Sequence, residues 1–274
     1  MEPNHAALAV STAHTPRRTQ ASRTAAQAGP VAGLAAQLVV LLVLSRTVGF
    51  DTAAWVAGIG SAVVMNAALA RGLSNHGSDG LAPADWVTLA RGSLAVGVAA
   101  LVADSFRHPV PLALLVALTA VAVSLDWVDG WLARRTRTTP LGARFDGEID
   151  AFLILILSAY VARSAGVWVL AIGMARYVFF AAGLALPWLR EPLPPRYWRK
   201  VVAATQGIVL AIAAAHVLPR RVTDVALVGA LILLAESFGQ DIWWLWGRRH
   251  SAPARADAPA GPPGRVRTMI GLPW

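Results

Sequence analysis

The chain has 274 residues, of which 56% are apolar and only 14% charged, and its formal net charge at pH 7 is +9. Soluble globular domains carry about 25% charged residues, so this composition indicates an integral membrane protein. The absence of cysteine excludes disulfides, thiolate metal sites and cysteine nucleophiles.

Eight apolar runs predict the transmembrane segments, because each is close to the roughly 20 residues that a membrane-spanning helix needs. They lie at about 31–50, 53–71, 86–103, 109–127, 147–164, 166–187, 201–218 and 223–244. Long Leu, Val and Ala runs favour helices over a barrel. The Ala-, Thr-, Ser- and Gln-rich residues 1–30 and the Pro-, Ala- and Gly-rich residues 248–274 predict a disordered arm and a disordered tail.

The segment RGLSNHGSDGLAPAD, residues 71–85, separates the second span from the third and contains several turn-forming Gly and Pro residues. It divides the chain into an N-terminal two-helix hairpin, residues 31–72, and a block of six helices within residues 81–247. We therefore expect an all-α integral membrane fold with about eight transmembrane helices.

The positions of the basic residues predict the orientation in the membrane. With a cytoplasmic N-terminus, the inside segments carry 17 Lys and Arg residues and the outside loops carry five. The positive-inside rule then places both termini, and the loop after the fourth span, in the cytoplasm. We expect a multi-pass protein of the cell (plasma) membrane.

The stretch DWVDGWLARRTRTTPLGARFDGEID, residues 126–150, holds five of the 15 acidic residues of the chain. At the end of the fourth span, positions i, i+3, i+4 and i+7 share one helical face. These positions are Asp126, Asp129, Gly130 and Ala133. At the start of the fifth span, Gly142, Asp146 and Asp150 share a face at i, i+4 and i+8, and Glu148 points away from it.

A short loop between these spans brings the two faces together, so four carboxylates are predicted to converge at the membrane surface. Carboxylates this close hold either protons or cations. An oxygen-only cluster without His or Cys suits Mg²⁺, Mn²⁺ or Ca²⁺ better than zinc. The small residues leave space beside the cluster for a bulky phosphorylated ligand.

This stretch resembles the signature of the CDP-alcohol phosphatidyltransferases, Asp-x-x-Asp-Gly-x-x-Ala-Arg followed by Gly-x-x-x-Asp-x-x-x-Asp. Eight positions match, and the spacing differs only in the seven residues between Arg134 and Gly142, where the family usually has eight. ADWVTLARGSL is similar to the first core helix of the family, with Thr88 and Arg91 matching. RYWRKVVAATQG is similar to the basic stretch before its fifth core helix.

The resemblance implies a six-helix core and a role in phospholipid biosynthesis. The implied reaction transfers a phosphatidyl or related phospho-alcohol group from a CDP-linked lipid donor to an alcohol acceptor and releases CMP. It implies two Mg²⁺ or Mn²⁺ ions at Asp126, Asp129, Asp146 and Asp150, and Asp150 either helps to bind metal or acts as the catalytic base. The implied donor-binding residues are Gly130, Ala133, Arg134, Gly142 and Thr88.

The acceptor site is predicted to include Arg176, Arg199 and Lys200. Arg176 lies within a predicted span and needs a partner or a watery cavity. Its role as an acceptor contact and a purely structural ion pair both stay open, and Glu236 and Asp241 are candidate partners. The segment REPLPPRYWRK reads as an interface anchor and not as a nucleic-acid site. The sequence is compatible with a homodimer.

Two other functions are compatible with the pattern. A membrane prenyltransferase also uses paired aspartates and Mg²⁺ on a helical bundle, although Asp-Gly-x-x-Ala-Arg argues against it. A non-catalytic transporter or scaffold with a degenerate site is the alternative from another class.

Overall fold

The chain forms an all-α bundle in a computed structural model that describes residues 20–76, 83–133, 140–191, 193–194 and 196–250. The helices are α1 (Gln20–Val48), α2 (Thr52–His76), α3 (Pro83–Ser105), α4 (Leu112–Ala133), α5 (Pro140–Ala165), α6 (Leu170–Ala185), α7 (Tyr197–Ala215) and α8 (Arg220–His250). Short 3-10 turns, Val167–Val169 and Pro187–Arg190, precede and follow α6. The described residues form eight α-helices, as predicted, and each of the eight predicted runs overlaps one of them.

The first helix begins earlier than the sequence pattern predicted. Residues 20–30 belong to α1, although they were expected to form part of the disordered arm. This segment is rich in Ala, which has the highest helix propensity of all residues, so the helix extends past the end of its apolar run and through Pro30. Residues 248–250, predicted as the start of the disordered tail, belong to α8. Residues 1–19 and 251–274 lie outside the described part, so the remaining arm and the rest of the tail stay predictions.

The centre of the bundle is α3, which packs against α1, α2, α4 and α5. Buried residues make up 72% of its most apolar stretch, against 17–33% for the other candidate spans. The outer helices instead expose Val, Ile, Leu and Phe side chains over much of their length. This distribution suits a bundle whose outer surface contacts lipid and in which α3 is the most enclosed of the six candidate spans in the described residues.

Six of the eight helices are long and apolar enough to cross a membrane, counted over the described residues. The apolar part of α4 is shorter, Leu112–Asp126, and α5 is not among the six. The facing ends of these two helices carry the acidic residues of the 126–150 stretch, which reduces their apolar length. The chain is thus an integral membrane fold whose most polar helix ends lie together.

Candidate active site

Three carboxylates converge where the last turns of α4 meet the first turns of α5. Asp126 lies on α4, and Asp146 and Asp150 lie one turn apart on α5. Each offers a carboxylate oxygen, and the three oxygens lie within 4.8 Å of one another. The side chains are 43%, 34% and 35% exposed respectively, so the cluster is open to a ligand from solvent. The predicted meeting of the two helix faces is therefore observed for these three residues.

Arg91 of α3 lies against all three carboxylates, with a side chain that is only 1% exposed. Its Nη1 donates to Asp126 Oδ1 and its Nη2 to Asp146 Oδ1. Nη2 also lies 3.1 Å from Asp150 Oδ1 and donates to the backbone oxygen of Asp146 at 3.3 Å. One buried guanidinium thus connects α3, α4 and α5 at the cluster.

Sequence reasoning did not assign Arg91 to the site, although the signal was present. An arginine inside an apolar span is costly unless it faces a charged partner or water. Arg91 lies inside the third predicted span, 86–103, but helix periodicity alone does not show that its partner carboxylates belong to the fourth and fifth spans.

For most of the other predicted site residues, the structure describes the position in a helix but not the contacts of the side chain. Asp129, Gly130 and Ala133 lie in the last turns of α4, where the side chains are outside the described part, and Arg134 is outside it altogether. Gly142 lies in the first turn of α5. Thr88 is buried on α3, one turn before Arg91 and on the same side of that helix. Their donor-binding roles stay predictions.

Arg176 of α6 pairs with Glu148 of α5, with 2.5 Å between Arg176 Nη2 and Glu148 Oε1. Both side chains are half exposed or more. Neither Glu236 nor Asp241, the partners considered from the sequence, forms this pair. Glu148 points away from the carboxylate cluster, as predicted, but it lies between Asp146 and Asp150 in the chain. Arg176 is therefore bound at the level of Asp146 and Asp150 along α5, but on the face of that helix that points away from them.

Arg199 and Lys200 lie in the first turn of α7. Arg199 pairs with the buried Asp241 of α8 at 3.1 Å and donates from Nη2 to the backbone oxygen of Pro194 at 2.7 Å. Glu236 accepts hydrogen bonds from Trp198 and Gln240. Lys200 is exposed. The described contacts of Arg199 thus connect α7 to α8, and the acceptor roles of both residues stay predictions.

A second acidic group lies at the opposite end of α3 and has a structural explanation. Asp51, Asp104 and His108 place ligand atoms within 4.8 Å of one another. Asp51 accepts from the backbone N–H of Ala54 at 2.8 Å, so it caps α2, and Arg107 lies 3.3 Å from its other oxygen. The Ala54 bond, supported by the charge of Arg107, lowers the pKa of Asp51 below its ordinary value. Asp104 accepts from the backbone N–H of Asp51 and so connects the last turn of α3 to the loop between α1 and α2.

The cluster of Asp126, Asp146 and Asp150 fits a hard divalent cation on the chemistry of its donors. All its described ligand atoms are carboxylate oxygens, which Mg²⁺, Mn²⁺ and Ca²⁺ prefer. The oxygens are close enough to share an ion and remain partly exposed. The guanidinium of Arg91 compensates only one of the three negative charges.

A comparison with protein-family models supports the signature. The model described as CDP-alcohol phosphatidyltransferase matches residues 81–238, which is more than half of the chain. The match runs from the start of α3 into α8 and leaves the α1–α2 hairpin outside it. Neither the curated proteins nor the solved structures gave a significant match.

Proposed function

The chain belongs to the CDP-alcohol phosphatidyltransferase family, and we propose that it transfers a phosphatidyl, or related phospho-alcohol, group from a CDP-linked lipid donor to the hydroxyl of an alcohol acceptor. The observation that carries the proposal is the convergence of Asp126, Asp146 and Asp150, three aspartates of the family signature, at one end of the bundle. This arrangement suits phosphotransfer, in which positioning and charge neutralisation dominate catalysis.

Asp126, Asp129, Asp146 and Asp150 would hold two Mg²⁺ or Mn²⁺ ions. When bound, such ions neutralise the diphosphate of the donor and stabilise the leaving CMP. Gly130, Ala133 and Gly142 leave room for the nucleotide beside these carboxylates, and Thr88 and Arg134 contribute polar contacts to it. The acyl chains of the donor lie among the apolar helices, which explains a polar site at a membrane surface.

Asp150 acts as the base in this proposal. Its carboxylate accepts the proton of the acceptor hydroxyl, whose oxygen attacks the phosphorus of the phosphatidyl group. The bond between that phosphorus and the oxygen of CMP breaks, and CMP leaves with the bonding electrons. Asp150 is suited to this role because its side chain is about one third exposed, so an acceptor can reach it from solvent.

Arg176 is the proposed contact for an acceptor that carries a phosphate. Its guanidinium is half exposed and lies at the same level of α5 as Asp146 and Asp150, paired with Glu148 on another face of that helix. Arginine binds phosphate through strong charge-assisted hydrogen bonds. A phosphorylated alcohol would compete with Glu148 for this guanidinium.

The test is CMP release by the purified protein with Mg²⁺ or Mn²⁺, CDP-diacylglycerol and a panel of alcohols. Asp150→Asn should lower the rate by about 10²- to 10⁴-fold, the usual effect of losing a general base. Asp224→Asn is the matched control, because Asp224 is an exposed aspartate at the start of α8 with only a 3.9 Å contact to Arg220. Unchanged CMP release by a folded Asp150→Asn protein would refute the role of Asp150.

Two further measurements separate the other two functions. A prenyltransferase would leave CDP-diacylglycerol intact and would release pyrophosphate when a prenyl diphosphate is offered with the metal and an acceptor. A transporter or scaffold with a degenerate site would bind no CDP-alcohol in a calorimetric titration with metal present.

The site faces the cytoplasm in this proposal, and both termini lie on the same side. The support is the excess of Lys and Arg in the segments on that side of the bundle. Because the chain has no cysteine, single cysteines can report the orientation. An impermeant maleimide should label Ser164→Cys in intact cells and Ser251→Cys only after permeabilisation. The reverse pattern would place the site on the outer face.

A further inference from the structure

Arg91 is the largest fully buried side chain among the described residues, and its contacts are with carboxylates of the proposed site. We infer that Arg91 is a built-in counterion that holds Asp126, Asp146 and Asp150 together in the metal-free protein and, by its charge, weakens the binding of a divalent cation to them. The inference rests on the proposed function of this cluster as a cation site.

The burial of Arg91 requires such partners. A guanidinium that is 1% exposed has lost its hydration, and only paired charges with good hydrogen bonds compensate that loss. Both terminal nitrogens of Arg91 are engaged by the cluster, whereas its Nε has no hydrogen-bond partner within the described residues. The side chain is thus oriented so that both terminal nitrogens contact the carboxylates, which leaves the Nε donor without a partner in the described residues.

The backbone holds Arg91 in this position. Gly92, the next residue of α3, packs so closely that an added Cβ would lie 2.8 Å from Met65 Sδ of α2 and 3.1 Å from Ile149 Cδ1 of α5. Ile149 directly precedes Asp150. Because α3 is wedged between these helices, the guanidinium cannot retreat from the cluster by a shift of its helix. It remains a neighbour of any cation that the carboxylates bind.

The charges then determine the effect on binding. Three ionised carboxylates and one guanidinium leave a net charge of about −2 at the described cluster, where the carboxylates alone would give about −3. Removal of the guanidinium has two consequences. The metal-free protein loses the group that offsets carboxylate repulsion, and an entering divalent cation no longer meets a fixed positive charge.

The test measures Mn²⁺ binding to the full-length protein in detergent, from the electron paramagnetic resonance signal of free Mn²⁺, without substrate. Arg91→Gln should bind Mn²⁺ about tenfold more tightly or better, because it removes the fixed charge. Arg91→Lys keeps that charge and should stay within about threefold of the unmodified protein. Arg107→Gln is the matched control, because Arg107 also pairs with an aspartate but at the opposite end of α3.

Thermal unfolding gives a second readout. Metal-free Arg91→Gln should have a lower Tm than the metal-free unmodified protein. Saturating Mn²⁺ should raise the Tm of Arg91→Gln by more than it raises the Tm of the unmodified protein. Equal or weaker Mn²⁺ binding by Arg91→Gln would overturn the inference. The inference would also be overturned if Arg91→Gln failed to fold both with and without Mn²⁺, because bound cations should replace the guanidinium in offsetting carboxylate repulsion. If the unmodified protein binds no Mn²⁺ at all, the proposed function itself fails.

Discussion

Gly173→Ala should separate α6 from α5 and so disturb the residue proposed to bind the acceptor. An added Cβ at Gly173 would lie 2.6 Å from the backbone Cα of Leu155. Carbon atoms normally approach to about 3.5–4.0 Å, so α6 has to move by about 1 Å. Overpacking of this kind costs about 1–3 kcal/mol, and the helix propensity of Ala returns about 1 kcal/mol of it. We expect a net loss of up to about 2 kcal/mol.

Thermal unfolding in one detergent measures this loss, and at the size of this chain it corresponds to a fall in Tm of up to about 8 °C. Gly183→Ala is the matched control in the same helix, because its Cβ would meet only Arg190 Cγ at an ordinary 3.6 Å. That variant should be neutral or more stable by up to about 1 kcal/mol. Equal Tm values for the two variants would refute the close packing of α6 on α5.

Two other perturbations test separate parts of the molecule. Arg176→Gln should raise the KM for a phosphorylated acceptor by about 10- to 100-fold, the effect of losing one charge-assisted hydrogen bond, and should leave the KM for the CDP-linked donor unchanged. The control is Arg220→Gln, because Arg220 is an exposed arginine at the first residue of α8. An unchanged acceptor KM in Arg176→Gln would exclude this contact. At the opposite end of the bundle, the pKa of Asp51 is lowered in the folded protein. Ionised Asp51 therefore stabilises the fold above its ordinary pKa of 3.8, and this stabilisation is lost as the pH falls through the lower, folded pKa. The Tm of Asp51→Asn should therefore lie below that of the unmodified protein at pH 7 and converge with it as the pH falls below 3.8 through the folded value. A difference that grows in acid would contradict the stabilising role of the ionised carboxylate.

Helical periodicity and the short connection between the fourth and fifth spans predicted the carboxylate cluster, and three of its four predicted members are observed together. Residues at i and i+4 share a helix face wherever a helix forms, so Asp146 and Asp150 had to lie together. The short connection after the fourth span then brought the face of Asp126 opposite to them. The family signature in the same stretch led to the same arrangement, and the match over residues 81–238 agrees with it.

Partners between helices that are distant in sequence were not predictable in the same way. Arg91 reaches Asp126 and Asp146 because α3 lies in the centre of the bundle, and that position depends on how all the helices pack. The pairing of Arg176 with Glu148 depends likewise on the rotation of α6 against α5. A periodic pattern fixes which residues share a face but leaves open which neighbour that face meets.

The early start of α1 has a local cause. Apolar run length marks where a helix can enter a membrane, but the helix itself continues as long as its residues favour helical backbone. The Ala-rich residues before Pro30 do so, and α1 therefore begins at Gln20.

The most direct test of the proposed transfer is the stoichiometry of the reaction in liposomes that contain the purified protein and CDP-diacylglycerol. With Mg²⁺ or Mn²⁺ and the matching alcohol, mass spectrometry should find one CMP for each new phospholipid. Neither product should form when a chelator removes the metal. The absence of CMP from protein that binds Mn²⁺ and is offered the full panel of alcohols would contradict the proposed function, as would release of pyrophosphate from an added prenyl diphosphate.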